Sequence, residues 1–364
     1  MIVNQDNLEK KFMKLAFNKA SINVGSTNLN PSVGCIVVKN GAVISSGTTS
    51  IGGRPHAEFN ALKKNLNFKG STIYITLEPC VHYGKTNPCV NLIKEKKIKK
   101  VCYPLLDFDV RTRNKAKNFL NKNNIKVKIG ILKNEALNFY KSYFLSKNIN
   151  VLPYIDAKIA ISKDFFSVNK KSKWITNEIS RSKVHLMRSR YDCIVSTYKS
   201  VNNDNSILDC RISGIENRSP SRVIIDKDLN LKRNLELYKS CKKIKTYVII
   251  RKRDKTKEKY LKSQNIKILK IKHKGKGQLS FRDIFLKLKK IGFTRILCEA
   301  GLQTINNLIQ QKLIHNLYVF SSSQLLGKNG QNSYKKLLKQ LKFKKKIKIN
   351  INLSQDQLYK FKIK

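Results

Sequence analysis

The chain has 364 residues, 41% of them apolar, which suffices for two domains that each bury a core of their own. A formal net charge of +52 invites a nucleic-acid reading, but the lysines are spread along the chain among Asn and Ile and seldom alternate with aromatic residues, so A/T-rich codon usage accounts for them better than a base-stacking platform does. Eight cysteines without a framework spacing, no signal-peptide pattern and no membrane-length apolar run exclude a disulfide scaffold and a membrane protein, and the expectation is a cytoplasmic protein in a reducing compartment.

In chain order, Leu8, Phe12, Leu15, Ala16 and Ala20 recur at helical spacing and predict an amphipathic opening helix. Asn30-Pro31-Ser32-Val33 reads as a turn. Residues 34–38 and 42–45 flank Asn40-Gly41, the preferred dipeptide of a tight β-hairpin. After a break at Gly52-Gly53-Arg54-Pro55, residues 57–66 show helical spacing, with His56 and Glu58 in the first turn near its free N–H groups. Residues 72–77 predict a strand. Pro88 ahead of Cys89, followed by Val90, Ile93 and Ile98, predicts that Cys89 opens a helix, a place that lowers the pKa of a thiol. Residues 99–103 and 125–129 read as strands with a helix at 116–120 between them. Strands alternating with helices imply an α/β sheet covered on both faces.

The chemistry concentrates in His56-Ala57-Glu58, Pro79-Cys80 and Pro88-Cys89. An imidazole and two thiolates fill three tetrahedral positions around Zn2+ and leave the fourth for water, whereas a structural zinc takes four protein ligands. Cys35 and His82 are the available fourth ligands, and Cys35, inside an apolar strand, reads as core. Glu58 is better suited to carrying a proton than to holding metal. His-x-Glu followed by Pro-Cys-x-x-Cys is the signature of zinc nucleobase deaminases. Here eight residues, rather than two, separate the cysteines.

Asn30-Pro31-Ser32-Val33-Gly34, His56-Ala57-Glu58 and the run from Thr76-Leu77-Glu78-Pro79-Cys80 to Pro88-Cys89 resemble the deaminase domain of the bifunctional riboflavin-biosynthesis deaminase/reductase family, whose long Cys-to-Cys loop sets it apart from cytidine and tRNA deaminases. The resemblance implies a cytidine-deaminase-like α/β/α domain over 1–148 that hydrolytically deaminates 2,5-diamino-6-ribosylamino-4(3H)-pyrimidinone 5′-phosphate. It implies that His56, Cys80 and Cys89 bind zinc and that Glu58 is the catalytic proton carrier. Asn30, His82, Lys85 and Thr86 would bind this small-molecule substrate. Where the family continues Asp-Pro-Asn-Pro, this chain has Asp107-Phe108-Asp109-Val110.

Near residue 150 the pattern restarts, with strands at 151–155, 193–196, 222–226, 246–250 and 295–298 and helical spacing at 281–291 and 304–314. The lysine-rich run 342–348 alternates with apolar residues and reads as a solvated strand. Pro153-Tyr154-Ile155-Asp156-Ala157-Lys158, Trp174-Ile175-Thr176, Asp204 and Glu299-Ala300-Gly301 resemble the reductase domain of the same family. That resemblance implies a dihydrofolate-reductase-like α/β domain over 149–364 that reduces the ribosyl group to ribityl with NADPH. Trp174, Ser200, Asp204 and the turn of Ala300, Gly301, Leu302, Gln303, Thr304, Ile305 and Asn306 would contact NADPH. Ser172, Arg188, Leu208, Arg211 and Glu299 would hold substrate.

Three departures bear on this half. Ser162-Lys163-Asp164-Phe165 stands where the family has Ser-Leu-Asp-Gly, Asp204-Asn205-Ser206 replaces Asp-Asp-Pro, and Ser196-Thr197-Tyr198-Lys199-Ser200 is a bulkier version of a Gly-rich cofactor turn. Two competing readings follow: a deaminase whose reductase half is kept as scaffold, and, from the charge alone, a nucleic-acid deaminase or binding protein. The Cys-to-Cys loop and the lack of any RNA-binding motif weigh against the second, so no specific nucleic acid and no membrane partner are expected, while a homo-oligomer is compatible with the sequence.

Overall fold

The structure is a computed structural model describing residues 5–84, 86–251, 253–271, 280–341 and 345–364. The chain divides into two compact units, Met1–Ile149 and Asn150–Lys364. The first contains α1 (Gln5–Ser21), β1 (Gly34–Lys39), β2 (Ala42–Thr48), α2 (Ala57–Leu62), β3 (Thr72–Ile75), α3 (Cys89–Glu95), β4 (Lys100–Tyr103), α4 (Ala116–Lys122), β5 (Lys126–Ile129), α5 (Lys133–Phe139) and α6 (Lys141–Lys147).

Its sheet runs β2-β1-β3-β4-β5, antiparallel across the first three strands and parallel from β3 to β5. The β1–β2 turn takes φ of 50° at Asn40 and 77° at Gly41, the backbone that a two-residue hairpin demands. Alternation along the strands gives each face its own apolar set. Phe12, Met13 and Ala16 of α1 pack on Ile36, Val38, Tyr74 and Cys102. On the opposite face Ala57, Ala61, Val90, Ile93 and Leu120 pack on Cys35, Val37, Ile73, Ile75 and Val101. Gly34 lets α1 lie close, since a Cβ there would stand 1.9 Å from the Ala16 carbonyl oxygen.

The second unit contains β6 (Tyr154–Ile161), β7 (Phe166–Asn169), α7 (Glu178–Arg188), β8 (Cys193–Thr197), α8 (Tyr198–Asp204), β9 (Ser221–Ile225), β10 (Thr246–Ile250), α9 (Lys255–Ser263), β11 (Ile266–Lys270), α10 (Phe281–Ile291), β12 (Arg295–Cys298), α11 (Leu302–Gln310), β13 (Asn316–Ser321), β14 (Gly330–Ser333), α12 (Lys335–Gln340), β15 (Lys346–Lys348) and β16 (Gln357–Lys362). Nine strands form one sheet in the order β11-β10-β9-β8-β12-β6-β13-β16-β15. Strands β11 through β13 in that order are mutually parallel; β16 runs antiparallel to both β13 and β15. β12 is inserted between β8 and β6, which creates the topological switch where ligands bind in open α/β sheets. Its helices are punctuated by side chains: Asn177 caps α7, Asp254 caps α9 and Ser280 caps α10, which closes on Gly292 at φ 111°.

Several elements differ from their sequence expectations. α2 ends at Leu62 rather than 66, and of the turn expected over 196–200 the first two residues end β8 while Tyr198, Lys199 and Ser200 open the helix α8. β13 and β16 are strands not foreseen from sequence. Of the lysine-rich run, Lys346–Lys348 is the edge strand β15, and 342–344 lie outside the described residues. Phe165 adopts φ 73° at the position where the family resemblance expects glycine. The turn nonetheless closes, with Phe166 N–H donating to Ser162 Oγ at 2.9 Å and Tyr334 N–H donating to the Phe165 carbonyl at 2.8 Å.

Candidate functional site

In the first unit three segments converge at the carboxyl end of β3. His56 is the N-cap of α2, Cys80 follows β3, and Cys89 is the first residue of α3 behind its N-cap Pro88. His56 Nδ1 lies 3.6 Å from Cys80 Sγ and 3.5 Å from Cys89 Sγ, and the three donor atoms all lie within 4.8 Å of one another. Tetrahedral zinc with ordinary Zn–S and Zn–N bonds sets its imidazole and thiolate donors about 3.6 Å apart. The donor set therefore fits zinc in both chemistry and spacing. Neither Cys35, fully buried in the core, nor His82 joins the cluster.

Glu58 lies one helical position beyond Ala57 and is 4% exposed. Burial pushes its carboxyl up to about 7, against the opposing pull of His56. A carboxyl poised there exchanges protons at neutral pH. Hydrogen bonds from Cys89 and His56 draw the Cys80 thiol down to about 4, and the Cys89 N–H donates to its sulfur at 3.3 Å. Cys89, bonded to Cys80 and stripped of solvent, is pushed up.

The loops around this centre are held by a residue whose role the sequence did not reveal. Glu78 is 4% exposed and its carboxylate accepts three backbone N–H bonds, from Asp107 (2.8 Å), Asn114 (3.1 Å) and Ala116 (3.1 Å). Those bonds fasten the 107–116 loop beside Pro79-Cys80. From that loop Thr112 Oγ1, fully buried, lies 3.0 Å from His82 Nδ1. Asp107 turns inward to accept from Tyr143 Oη at 2.9 Å, while Asp109 pairs with Arg111 and Lys147. Asn30 donates from Nδ2 to the Gly53 carbonyl at 2.9 Å, next to the segment that leads into His56. Thr86 accepts from Arg54; Lys85 lies outside the described residues.

In the second unit the carboxyl ends of β8 and β12, adjacent in the sheet, lead directly into α8 and α11. Gly301 is the N-cap of α11, and a Cβ there would face Ser200 Oγ at 3.9 Å. Ser196 Oγ, at the end of β8, is buried without a hydrogen-bond partner among the described residues. Gly301, the Ser200 hydroxyl facing it and the N-terminus of α11 make a setting that suits the phosphates of a dinucleotide such as NADPH. Leu302, Gln303, Thr304 and Asn306 lie in the first turns of α11, whereas Ile305 is fully buried in the core. Asp204 ends α8, and Trp174, half exposed, is flanked by the cations of Lys173 and Arg181.

Beside this edge Arg188 makes a two-pronged pair with Glu299, at 2.7 Å and 3.0 Å, and Lys158 Nζ adds a third contact at 3.0 Å. Burial alone would raise the Glu299 carboxyl, but Arg188 and Lys158 outweigh it and hold it well below the usual range. Arg211 reaches the neighbouring His185 at 3.2 Å. Ser172 accepts from the Trp174 N–H. Leu208 is buried in a core cluster with φ of 58°, so any ligand contact it makes is limited to its backbone or rim.

Comparison with known proteins assigns both halves. Residues 6–105 match the cytidine and deoxycytidylate deaminase zinc-binding region, and residues 153–357 match the RibD C-terminal domain. The riboflavin biosynthesis protein RibD of Aquifex aeolicus is 30% identical over 361 residues, covering 98% of each chain. That of Buchnera aphidicola is 31% identical over 334 residues, covering 87% of each. The crystal structure of a diaminohydroxyphosphoribosylaminopyrimidine deaminase/5-amino-6-(5-phosphoribosylamino)uracil reductase from Thermotoga maritima superposes with a TM-score of 0.81 at 26% identity, over 99% of both chains. With a zinc-binding deaminase domain followed by an NADPH-dependent reductase domain in one polypeptide, the chain belongs to the RibD family of bifunctional riboflavin-biosynthesis enzymes.

Proposed function

We propose that residues 1–148 deaminate 2,5-diamino-6-ribosylamino-4(3H)-pyrimidinone 5′-phosphate and that residues 149–364 reduce the ribosyl group of the product to ribityl. The observation that carries the reading is the convergence of His56, Cys80 and Cys89 beside a buried Glu58. When bound, zinc supplies a Lewis acid that makes water nucleophilic at neutral pH, and NADPH supplies a hydride.

His56, Cys80 and Cys89 hold the metal, and the Glu78-fastened loop keeps the Cys80 segment in register. Glu58 accepts one proton from the attacking water and delivers it to the ring nitrogen, then takes the second from the hydroxyl that the attack leaves on the ring carbon and delivers it to the departing amine, so that water and the amino compound become the carbonyl and ammonia. Its carboxyl, near 7, serves both directions of that transfer. Asn30, His82, Lys85 and Thr86 orient the nucleotide. In the second half Trp174, Ser200, Asp204 and residues 300–306 bind NADPH, while Ser172, Arg188, Leu208, Arg211 and Glu299 bind the sugar phosphate, the arginines matching its charge. A cytoplasmic location is part of this reading, because free nucleotides and NADPH are found there.

The test is incubation with the pyrimidine nucleotide, with and without NADPH, following ammonia and cofactor absorbance together. Glu58→Gln is expected to keep zinc and lose deamination by about a hundredfold or more, and Cys80→Ser to lose both. A second reading, a deaminase with the second half retained as scaffold, draws on the left-handed Phe165 in place of glycine. Ammonia release without NADPH oxidation would select it.

A further inference from the structure

The segment assigned to NADPH and substrate ahead of α7, residues 172–176, is irregular, and among the described residues no backbone–backbone hydrogen bond holds it. Its anchors are side chains. Arg181 Nη1 donates to the Thr176 carbonyl at 2.7 Å, and the same guanidinium lies over the Trp174 ring, 4.7 Å from its centroid. Asn177, which joins the segment to α7, is gripped by residues 349–356, the connection between β15 and β16. Its N–H donates to Asp356 Oδ2 at 2.9 Å, and its Nδ2 donates to the Leu353 carbonyl at 2.7 Å. Ser180 Oγ, in the first turn of α7, donates to the same Asp356 oxygen at 2.7 Å. Asp356 is 6% exposed, and its carboxylate sits where a helix start presents N–H groups without partners of their own. The connection also has an apolar footing, with Leu353 and Leu358 packed on Val184 of α7 and Phe320 of β13.

We propose that Asp356 and Arg181 are positioning residues of the reductase half, which hold residues 172–176, and with them Trp174, in the conformation that receives NADPH. The inference rests on the assignment of Trp174 to the cofactor and deepens it by naming the parts that set the ring in place. A half-exposed indole on a segment without backbone bonds of its own would otherwise sample many orientations, and ordering it on binding would cost affinity. When only a fraction of the molecules carries the competent conformation, the apparent affinity falls by that fraction, while the complex once formed is the same. Asp356 and Arg181 therefore act on the binding of NADPH and not on hydride transfer. Both side-chain bonds to Asp356 end on one oxygen, Oδ2, so an amide oxygen can take its place.

Trp174 is the single tryptophan of the chain, so its emission reports on this segment alone. The experiment uses the full-length protein and compares the parent with Asp356→Ala, Asp356→Asn and Arg181→Ala. Acrylamide quenching of Trp174, the change in its emission on titration with NADPH, and KM and kcat for NADPH oxidation with the deaminated nucleotide are measured on each. The expected result is that Asp356→Ala and Arg181→Ala raise acrylamide quenching and raise KM for NADPH about tenfold, the size of one lost hydrogen bond to a charged group, with kcat changed much less. Asp356→Asn, which keeps an acceptor for both donors, stays close to the parent. Arg181→Ala leaves residues 349–356 untouched and keeps the test open should Asp356→Ala fail to fold. Parental quenching and KM in Asp356→Ala or in Arg181→Ala would overturn the proposal, as would a loss confined to kcat or an Asp356→Asn as impaired as Asp356→Ala. Should NADPH leave the emission of the parent unchanged, the assignment of Trp174 to the cofactor falls, while acrylamide quenching still decides whether Asp356 and Arg181 hold the segment.

Discussion

Replacing Glu78 by Gln tests whether one buried carboxylate fastens the 107–116 loop to the metal centre. Oε2 accepts the N–H groups of Asp107 and Asn114, and Oε1 that of Ala116. An amide in the same place has one oxygen. Turned to keep the first two bonds, it sets its NH2 against the Ala116 N–H and leaves that buried donor unsatisfied. A hydrogen bond to a charged group contributes about 1.5–3 kcal/mol, and the two that survive lose their charge assistance. The expected cost is therefore about 2–4 kcal/mol, concentrated in the loop, which raises its opening equilibrium about thirtyfold or more. Amide hydrogen exchange read by mass spectrometry on peptides spanning 106–116 should show that acceleration, while peptides from β3 and β4 stay protected. Unchanged exchange across 106–116 would refute the reasoning, since it would mean the loop is held without the charge.

The other predictions concern the second half. Glu299→Gln should destabilise that unit by about 3 kcal/mol at pH 7, because it strands Arg188 without its partner. The Glu299 carboxyl is depressed in the folded state, so its contribution is complete above the unfolded value of about 4.3 and is lost as the pH falls through the lower folded value. Urea denaturation at pH 7 and at pH 3 should show the gap between parent and variant closing with acid, and a gap that widens instead would contradict the sign. Asp204→Ala should suppress NADPH oxidation while ammonia release continues; parallel loss of both would show that the two activities are not independent. At position 165 Gly should be more stable than Ala by about 0.5–1 kcal/mol, both having lost the ring and only Ala retaining the left-handed penalty. Thermal melts in which Ala is the more stable of the two would rule out backbone strain there.

What could be read from the sequence follows the range of the interactions involved. The hairpin at Asn40-Gly41, the helix opened by Pro88-Cys89 and the helix over 281–291 are settled by neighbours within a few residues, and all appear in the structure. The cluster of His56, Cys80 and Cys89 was legible because His-x-Glu followed by two Pro-Cys pairs has few other joint uses. Glu78 stands inside the same motif, yet its three partners lie 29 to 38 residues away, and nothing in the local pattern marks them. Thr112 was invisible for a related reason, since it acquires meaning only through His82, which it meets beside the metal centre. The segment from Ser196 to Ser200 misled because bulky residues in place of glycine still allow a strand to pass straight into a helix capped by Thr197.

The position of β12 has a consequence for how the chain is made. It lies between β8 and β6, yet it is synthesised about a hundred residues after the first and farther still after the second. A ribosome that has emitted β6 through β11 has therefore exposed two long apolar strand edges that belong beside a piece not yet built. Pairing of such distant segments is slow, and open edges invite association with other chains. This half of the enzyme must wait for its middle, and any truncation ahead of Arg295 leaves that gap permanently open.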